Sequence, residues 1–335
     1  MSITLDRLVQ AQKQIQALFL RPIRLQEPRS IPPDLKEKYS KYGSLPVSQQ
    51  PAAYRFGLKH LEGVAVSWPQ EPRLDVWLTL QPPNDFANFL AKEFPDVPLR
   101  LVVTGRFHFL GGFGIGSDIS LELSLGTGSI GLFLNGSGGT QYALTCAHVL
   151  DEDPAGQPVD SGIDQIGELA FRIPISTAPL VNATAPDPQE PNQVDCALAK
   201  LDAPGQSNAL SSGREVSNTA VAAQGDAVTI VNALKTVSAT VITTMVDLGI
   251  PYHLGRAYFD NLIATTGESS IEPGDSGSLV INGDNAAVGM VMAIANNGRT
   301  TDHPPQKLGP IVIVCDMQKI LNNLAPVTGF ALSLT

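Results

Sequence analysis

Cysteine is scarce in this chain. Cys146, Cys196 and Cys315 are the three present in 335 residues, an odd number at spacings that match no zinc-binding pattern. A dense disulfide framework of the secreted kind is therefore not expected, although a single bridge stays open. Long apolar runs are missing as well. No stretch approaches the ~18 residues that a membrane-crossing helix needs. The N-terminus, MSITLDRLVQAQKQIQALFL, lacks a cationic start followed by an unbroken apolar segment. It does not read as a signal peptide, so the expected location is the cytoplasm. Clustered Lys and Arg are also lacking. The formal net charge is −10 and no basic block stands out, which argues against a phosphate-tracking surface and against nucleic acid as a partner. No HExxH occurs, so a zinc-peptidase helix is excluded. Neither a metal nor a cofactor is expected.

What is present is ample core material, 43% apolar residues, enough for one large or two ordinary domains. In residues 1–20 the spacing of Leu5, Leu8, Val9, Ile15, Leu18 and Phe19 predicts one apolar helix face. That face either packs on its own protein or docks a partner. Residues 21–52 are rich in proline and charge and read as an extended linker. In 53–105, GVAVSW and LDVWLTLQ read as strands, NDFANFLAKEF as a helix that Asn84 or Asp85 can cap, and LRLVVTG as a further strand. The glycine-rich GRFHFLGGFGIGSD then allows a sharp change of direction. From about 118 onward short strands alternate with Gly, Pro, Asn and Asp, among them GSIGLFLN, TQYALTCAHVL, AAVGMVMAIAN and GPIVIVC. This pattern predicts a sandwich or barrels. Long loops are expected at 152–165 and 174–193, and DMQKILNNL as a closing helix.

Three segments carry candidate chemistry. In PGDSGSLV, Ser276 lies between Gly274-Asp275 and Gly277, and the glycines permit a sharp turn that exposes a hydroxyl and aims backbone N–H groups at an oxyanion. In TCAHVL, His148 ends an apolar strand. In VDCALAKL, Asp195 opens a buried run, where a carboxylate is costly unless paired, and a histidine N–H is a suitable partner. The chain order His148, Asp195, Ser276 differs from that of lipase-like and subtilisin-like hydrolases.

Together TCAHVL, VDCALAKL and PGDSGSLV resemble the three catalytic blocks of the trypsin/chymotrypsin family, over about 118–325. More narrowly, the chain resembles bacterial leaderless trypsin-like peptidases with an N-terminal α+β module, in which a stretch like GIGSD…GTGSIG enters the first barrel. The resemblance implies a mainly β chain: a chymotrypsin-like double β-barrel preceded by a small α+β module and an N-terminal helix. The implied division is a helix and linker at 1–52, the module at 53–105, and a peptidase domain at 106–335. Within that domain, barrel one lies at about 118–205, barrel two at about 215–315 and a C-terminal helix at about 316–324.

The implied function is a serine endopeptidase acting through an acyl-enzyme on a protein or peptide substrate, with one dedicated partner protein a family-level expectation. The alternative is a catalytically silent protease-fold binding module. By the resemblance Ser276 is the nucleophile, His148 the general base and Asp195 its orienting carboxylate, while Gly274 and Ser276 supply the oxyanion hole. Ser270 falls at the base of the substrate pocket and Met292, Ala293 and Ile294 form one wall. With no carboxylate at 270, a small or apolar side chain is expected before the scissile bond, although Glu272 stands near the pocket mouth. Val149 replaces a family cysteine, so that disulfide is absent. Asp275, whose family counterpart pairs with a terminal amine freed by cleavage, is expected to find a partner inside the chain; processing near 105–117 is the competing route. The 53–105 module reads either as a folding partner or inhibitory prodomain, or as a structural cap or partner-binding domain.

Overall fold

The computed structural model describes residues 3–19, 42, 45–109, 119–121, 128–150, 155–161, 164–179, 191–210, 213–231, 235–252, 255–268, 270–272, 274–301 and 306–335. Most of the linker expected at 21–52, much of the junction and processing window after Phe109, and most of the loop expected at 174–193 lie outside the described residues.

The chain begins with α1 (Leu5–Phe19), followed by α2 (Ala52–His60), β1 (Leu61–Ser67), β2 (Arg73–Leu78), α3 (Asn84–Glu93), β3 (Leu99–Val103) and β4 (His108–Phe109). The apolar face of α1 packs on its own protein: Leu8, Ile15, Leu18 and Phe19 are buried with Tyr54, Val64, Phe86 and Leu90. Each such side chain contributes about 1.5–3 kcal/mol. Polar side chains of the same helix complete the docking. Gln12 Nε2 donates to the carbonyls of Val64 and Met245, each at 3.0 Å. Lys13 Nζ lies 2.9 Å from Asp247 and 3.4 Å from Asp260, and Gln16 Nε2 donates to Asp260 at 2.7 Å.

Residues 52–60, for which the sequence predicted no element, are helical; Gly57 weakens the helix signal, yet a Cβ there would come within 2.3 Å of the Phe19 ring. One local expectation needs correction. The cap of α3 is neither Asn84 nor Asp85. Pro83 takes the N-cap position with no side-chain cap hydrogen bond, and Asp85 sits inside the first turn.

β2 and β3 are parallel, joined across α3, and β1 pairs antiparallel with β2. These strands run on into the second barrel. β1 pairs with β13 (Thr236–Tyr252), and β3 pairs with β16 (Ala287–Thr300). With β12 (Ala227–Val231), β14 (Gly255–Thr266), β15 (Leu279–Ile281) and β17 (Lys307–Asp316), these make one 11-stranded sheet, which also contains β4 and β10 (Thr177–Pro179). The ring β14-β17-β16-β15-β12-β13 closes through β13–β14 pairing around Val228, Ile230, Val237, Val241, Val280, Val291 and Val312. Register shifts in the β13–β14 ladder between Val241 and Leu248 let β13 leave that interior and carry β1.

A second sheet of seven strands has the order β18-β6-β7-β11-β9-β8-β5. It comprises β5 (Ile119–Leu121), β6 (Leu132–Asn135), β7 (Gln141–Thr145), β8 (Pro158–Ser161), β9 (Asp164–Arg172), β11 (Ala197–Leu201) and β18 (Ser333–Leu334). Its apolar faces meet the other sheet in a shared core that includes Leu144, Leu198, Met290, Met292 and Ile313. The β8–β9 hairpin begins inside the loop expected at 152–165, where Pro158 and Asp160 mask the strand alternation. The closing helix is α4 (Met317–Thr328), capped by Asp316, which accepts from the Lys319 N–H, and ended by Gly329 in the left-handed region. The chain is thus mainly β, with the chymotrypsin-like double-barrel layout and an N-terminal helix.

Candidate active site

The two barrels bring three sequence-distant segments together. β7 ends at Thr145, and the next residues form a short 3₁₀ turn, Ala147–Leu150, that holds His148. Asp195 lies just ahead of β11, which pairs with β7, so the ladder that aligns Ala197 with Thr145 also sets the carboxylate beside the histidine. Ser276 comes from the other barrel, on the turn before β15.

That turn is fixed by glycine and by the first barrel. Gly277 has φ +95°, and a Cβ there would lie 1.9 Å from the carbonyl oxygen of Ser129. Ser129 in turn grips the turn from both ends: its N–H donates to the Ser276 carbonyl at 2.5 Å and its hydroxyl to the Gly274 carbonyl at 3.0 Å. The Ser129 carbonyl accepts from Thr145 Oγ1 at 2.8 Å. The sequence reading did not single out Ser129. Its one signal was the GTGSIG stretch, whose glycines allow the two barrels to approach.

His148 Nδ1 lies 2.5 Å from Asp195 Oδ2, and His148 Nε2 lies 2.7 Å from Ser276 Oγ. A carboxylate only accepts, so Nδ1 carries the ring proton and Nε2 is left to accept from the serine hydroxyl. The other oxygen of Asp195 accepts the His148 backbone N–H at 3.1 Å. Two donors from one residue thus satisfy a fully buried carboxylate. The His148 side chain is 3% exposed, and Ser276 is 0% exposed.

All three cysteines are free, buried thiols near Asp195. Burial pushes Cys146 and Cys196 well above the ordinary thiol range, with Asp195 adding to both, and raises Cys315 likewise. Cys146 Sγ, His148 and Asp195 offer ligand atoms within 4.8 Å of one another. The Cys146 thiol, however, keeps its proton and donates to the Val291 carbonyl at 3.2 Å. The set suits a hydrogen-bonded relay better than a cation.

Asp275 is held from inside the chain. Its Oδ2 lies 2.7 Å from Lys235 Nζ and accepts the Glu272 N–H at 2.8 Å. Lys235 also donates to the Ser270 carbonyl and stands 3.8 Å from Glu272 Oε1. Sequence reasoning missed Lys235, a single cation beside a loop with no motif around it. Of the residues expected to line the pocket, Ser270 is exposed beside Lys235, whereas Met292, Ala293 and Ile294 are buried on β16. The Met292 carbonyl oxygen lies 3.3 Å from Ser276 Oγ, which places the start of this triplet beside the serine. Among the described residues no helix is long and apolar enough to cross a membrane.

Residues 126–290 match the family model of the trypsin-like peptidase domain. Among solved structures, the chain is similar to a Nocardiopsis protease (18% identity, 65% of this chain and 96% of that one, TM-score 0.44). It is also similar to Thermobifida fusca protease A (19%, 66% and 98%, TM-score 0.41) and to a Cellulomonas bogoriensis chymotrypsin (20%, 66% and 98%, TM-score 0.40). No curated protein sequence matches the chain. On that domain match, residues 126–290 make up a trypsin-like peptidase domain.

Proposed function

We propose that this chain is a serine endopeptidase that cleaves protein substrates by way of an acyl-enzyme. The observation that carries the reading is the single imidazole that reaches a buried carboxylate at 2.5 Å and a serine hydroxyl at 2.7 Å. In this reading His148 Nε2 takes the hydroxyl proton as Ser276 attacks the peptide carbonyl, then gives it to the departing amine. A water deprotonated by the same nitrogen later releases the acyl group. Asp195 fixes the tautomer and stabilises the transient imidazolium. This is the established triad mechanism of the family, carried over to these residues. Backbone N–H groups of Gly274 and Ser276 are the oxyanion donors of the proposal; loss of one such donor typically costs about 10²–10³ in turnover.

The complete burial of Ser276 is the one observation that favours the second reading, a silent protease-fold module. A fluorophosphonate probe separates the two, because it forms a covalent bond only with an activated serine. Prolonged incubation is expected to label Ser276 in wild type, with labelling lost in Ser276→Ala and slowed by orders of magnitude in His148→Ala. Wild type that stays unlabelled at all times and pH values would favour the silent module.

A further inference from the structure

The nucleophile's turn and β4 are consecutive neighbours along one edge of β16. Leu279 of β15 pairs with Met290. Next, Gly277 N–H donates to the Val291 carbonyl at 2.8 Å and Val291 N–H to the Ser278 carbonyl at 2.9 Å. Ser276 Oγ then reaches the Met292 carbonyl. One residue further, Ala293 pairs with Phe109 and Ile294 with His108. Further still, Arg299 and Thr300 pair with Val103 and Val102 of β3. The register is the same in both ladders, so the chain from β3 to β4 tracks β16 without a net slip. Phe107, fully buried and stacked on Trp77 at 5.2 Å, anchors the stretch between them.

Two features of this arrangement bear on the peptidase site. A strand rises about 3.3 Å per residue, so the backbone of Phe109 lies about one such step from the level of the Ser276 hydroxyl. β4 is also antiparallel to β16, so it approaches the serine with its C-terminal end. An acyl-enzyme needs this polarity: the part of a substrate N-terminal to the cut bond stays bound and presents its carbonyl carbon to the nucleophile. An extended peptide gains affinity by adding a strand to an open sheet edge, and here that edge at Ala293–Ile294 is already filled. The full burial of Ser276 accords with a filled edge.

We propose that β4 occupies the place of a substrate's acyl-side strand, so that the chain holds its own peptidase site in a self-inhibited state. This rests on the peptidase reading above. Substrate then competes with a tethered strand, and its apparent affinity is reduced by the fraction of molecules in which β4 has left β16.

The test breaks the strand's hydrogen bonding and reads the active site. In the full chain carrying His108→Pro and Phe109→Pro, β4 loses its N–H donors. Turnover of a quenched fluorescent casein and the rate of fluorophosphonate labelling are both expected to rise about tenfold or more. A synthetic peptide of residues 104–109, added to this variant, is expected to restore inhibition competitively. Should the double variant fail to fold, a site for an unrelated protease inserted between Gly105 and Arg106 allows the wild-type fold to be cut after it has formed. Arg106 is exposed and a Cβ at Gly105 would meet nothing within 4 Å, so the insertion is accommodated. Cutting there is expected to raise the same two rates. Equal rates in wild type, proline variant and cut protein, with labelling still abolished by Ser276→Ala, would overturn self-inhibition and leave the peptidase reading intact. Absence of labelling in every form would overturn both.

Discussion

Lys235 Nζ stands 2.7 Å from Asp275 Oδ2, the carboxylate next in sequence to Ser276. The same lysine donates to the Ser270 carbonyl, and Asp275 accepts from the Glu272 N–H, so one cation ties both ends of the 270–275 loop. In family members activated by cleavage, a freed terminal amine supplies that positive charge. Here the Lys235 side chain supplies it, beside the loop that leads to the serine.

It follows that Lys235→Met leaves a nearly buried carboxylate without its cation. Such an uncompensated group costs about 1–3 kcal/mol. Urea unfolding is expected to show that loss, and the labelling rate at Ser276 to fall about tenfold or more as the proposed oxyanion donors lose their positions. Lys235→Arg is expected to recover much of both. If Lys235→Met labels at the wild-type rate, the pair has no part in shaping the site.

Gly277→Ala tests the grip of the first barrel on the serine turn. A Cβ at this position meets the Ser129 carbonyl at 1.9 Å, and φ is +95°. Backbone strain and overpacking together are expected to cost about 3 kcal/mol or more, with Ser276 labelling reduced at least tenfold. Gly283→Ala is the control, since nothing lies within 4 Å of a Cβ there. Similar unfolding midpoints for the two variants would contradict this account of the turn.

The seat of α1 carries a pH dependence. Burial raises the Asp247 carboxyl above its ordinary range, Asp260 adds to the rise, and Lys13 and the Asn261 N–H oppose it. With the folded-state value the higher one, the folded protein binds this proton more tightly. The resulting contribution is fully present below about pH 4, the ordinary carboxylate value, and is lost as pH rises through the raised value. Asp247→Asn removes this titration. Denaturant unfolding at a series of pH values is expected to show a shallower fall of stability between about pH 4 and neutrality, by at most about 1.4 kcal/mol per pH unit. An identical slope in wild type and variant would show that the group does not titrate in that window.

The thiols yield a chemical prediction. Cys146, Cys196 and Cys315 are buried and held protonated, and the thiolate is the reactive form. Native protein at about pH 8 is expected to react negligibly with a disulfide reagent over minutes, then to titrate three thiols on unfolding. Labelling of Ser276 is expected to survive iodoacetamide treatment. A thiol that reacts within seconds in the native state would contradict the closed core around Asp195.

Much of this was legible in the chain itself. Stretches such as AAVGMVMAIAN and GPIVIVC carry enough β-branched and apolar side chains to specify strands, and both lie in β16 and β17. His148, Asp195 and Ser276 stand in short motifs whose small neighbours already indicate a crowded, hydrogen-bonded setting, and the structure brings all three within hydrogen-bonding reach. The apolar spacing of α1 likewise showed which face would be covered.

Tertiary structure decided the rest, because the partners are far apart in sequence and carry no local mark. Lys235 reads as an ordinary surface lysine until the 270–275 loop folds onto it. Ser129 gains its role when glycines on both barrels allow a close approach of two backbones. Lys13 and Gln16 read as the polar face of a helix until Asp247 and Asp260 are seen beneath them. His108 and Phe109 are too short a strand for any periodicity to reveal; only the edge of β16 gives them a position, beside the serine. Local propensity chooses elements, while long-range hydrogen bonds and burial choose which of them meet.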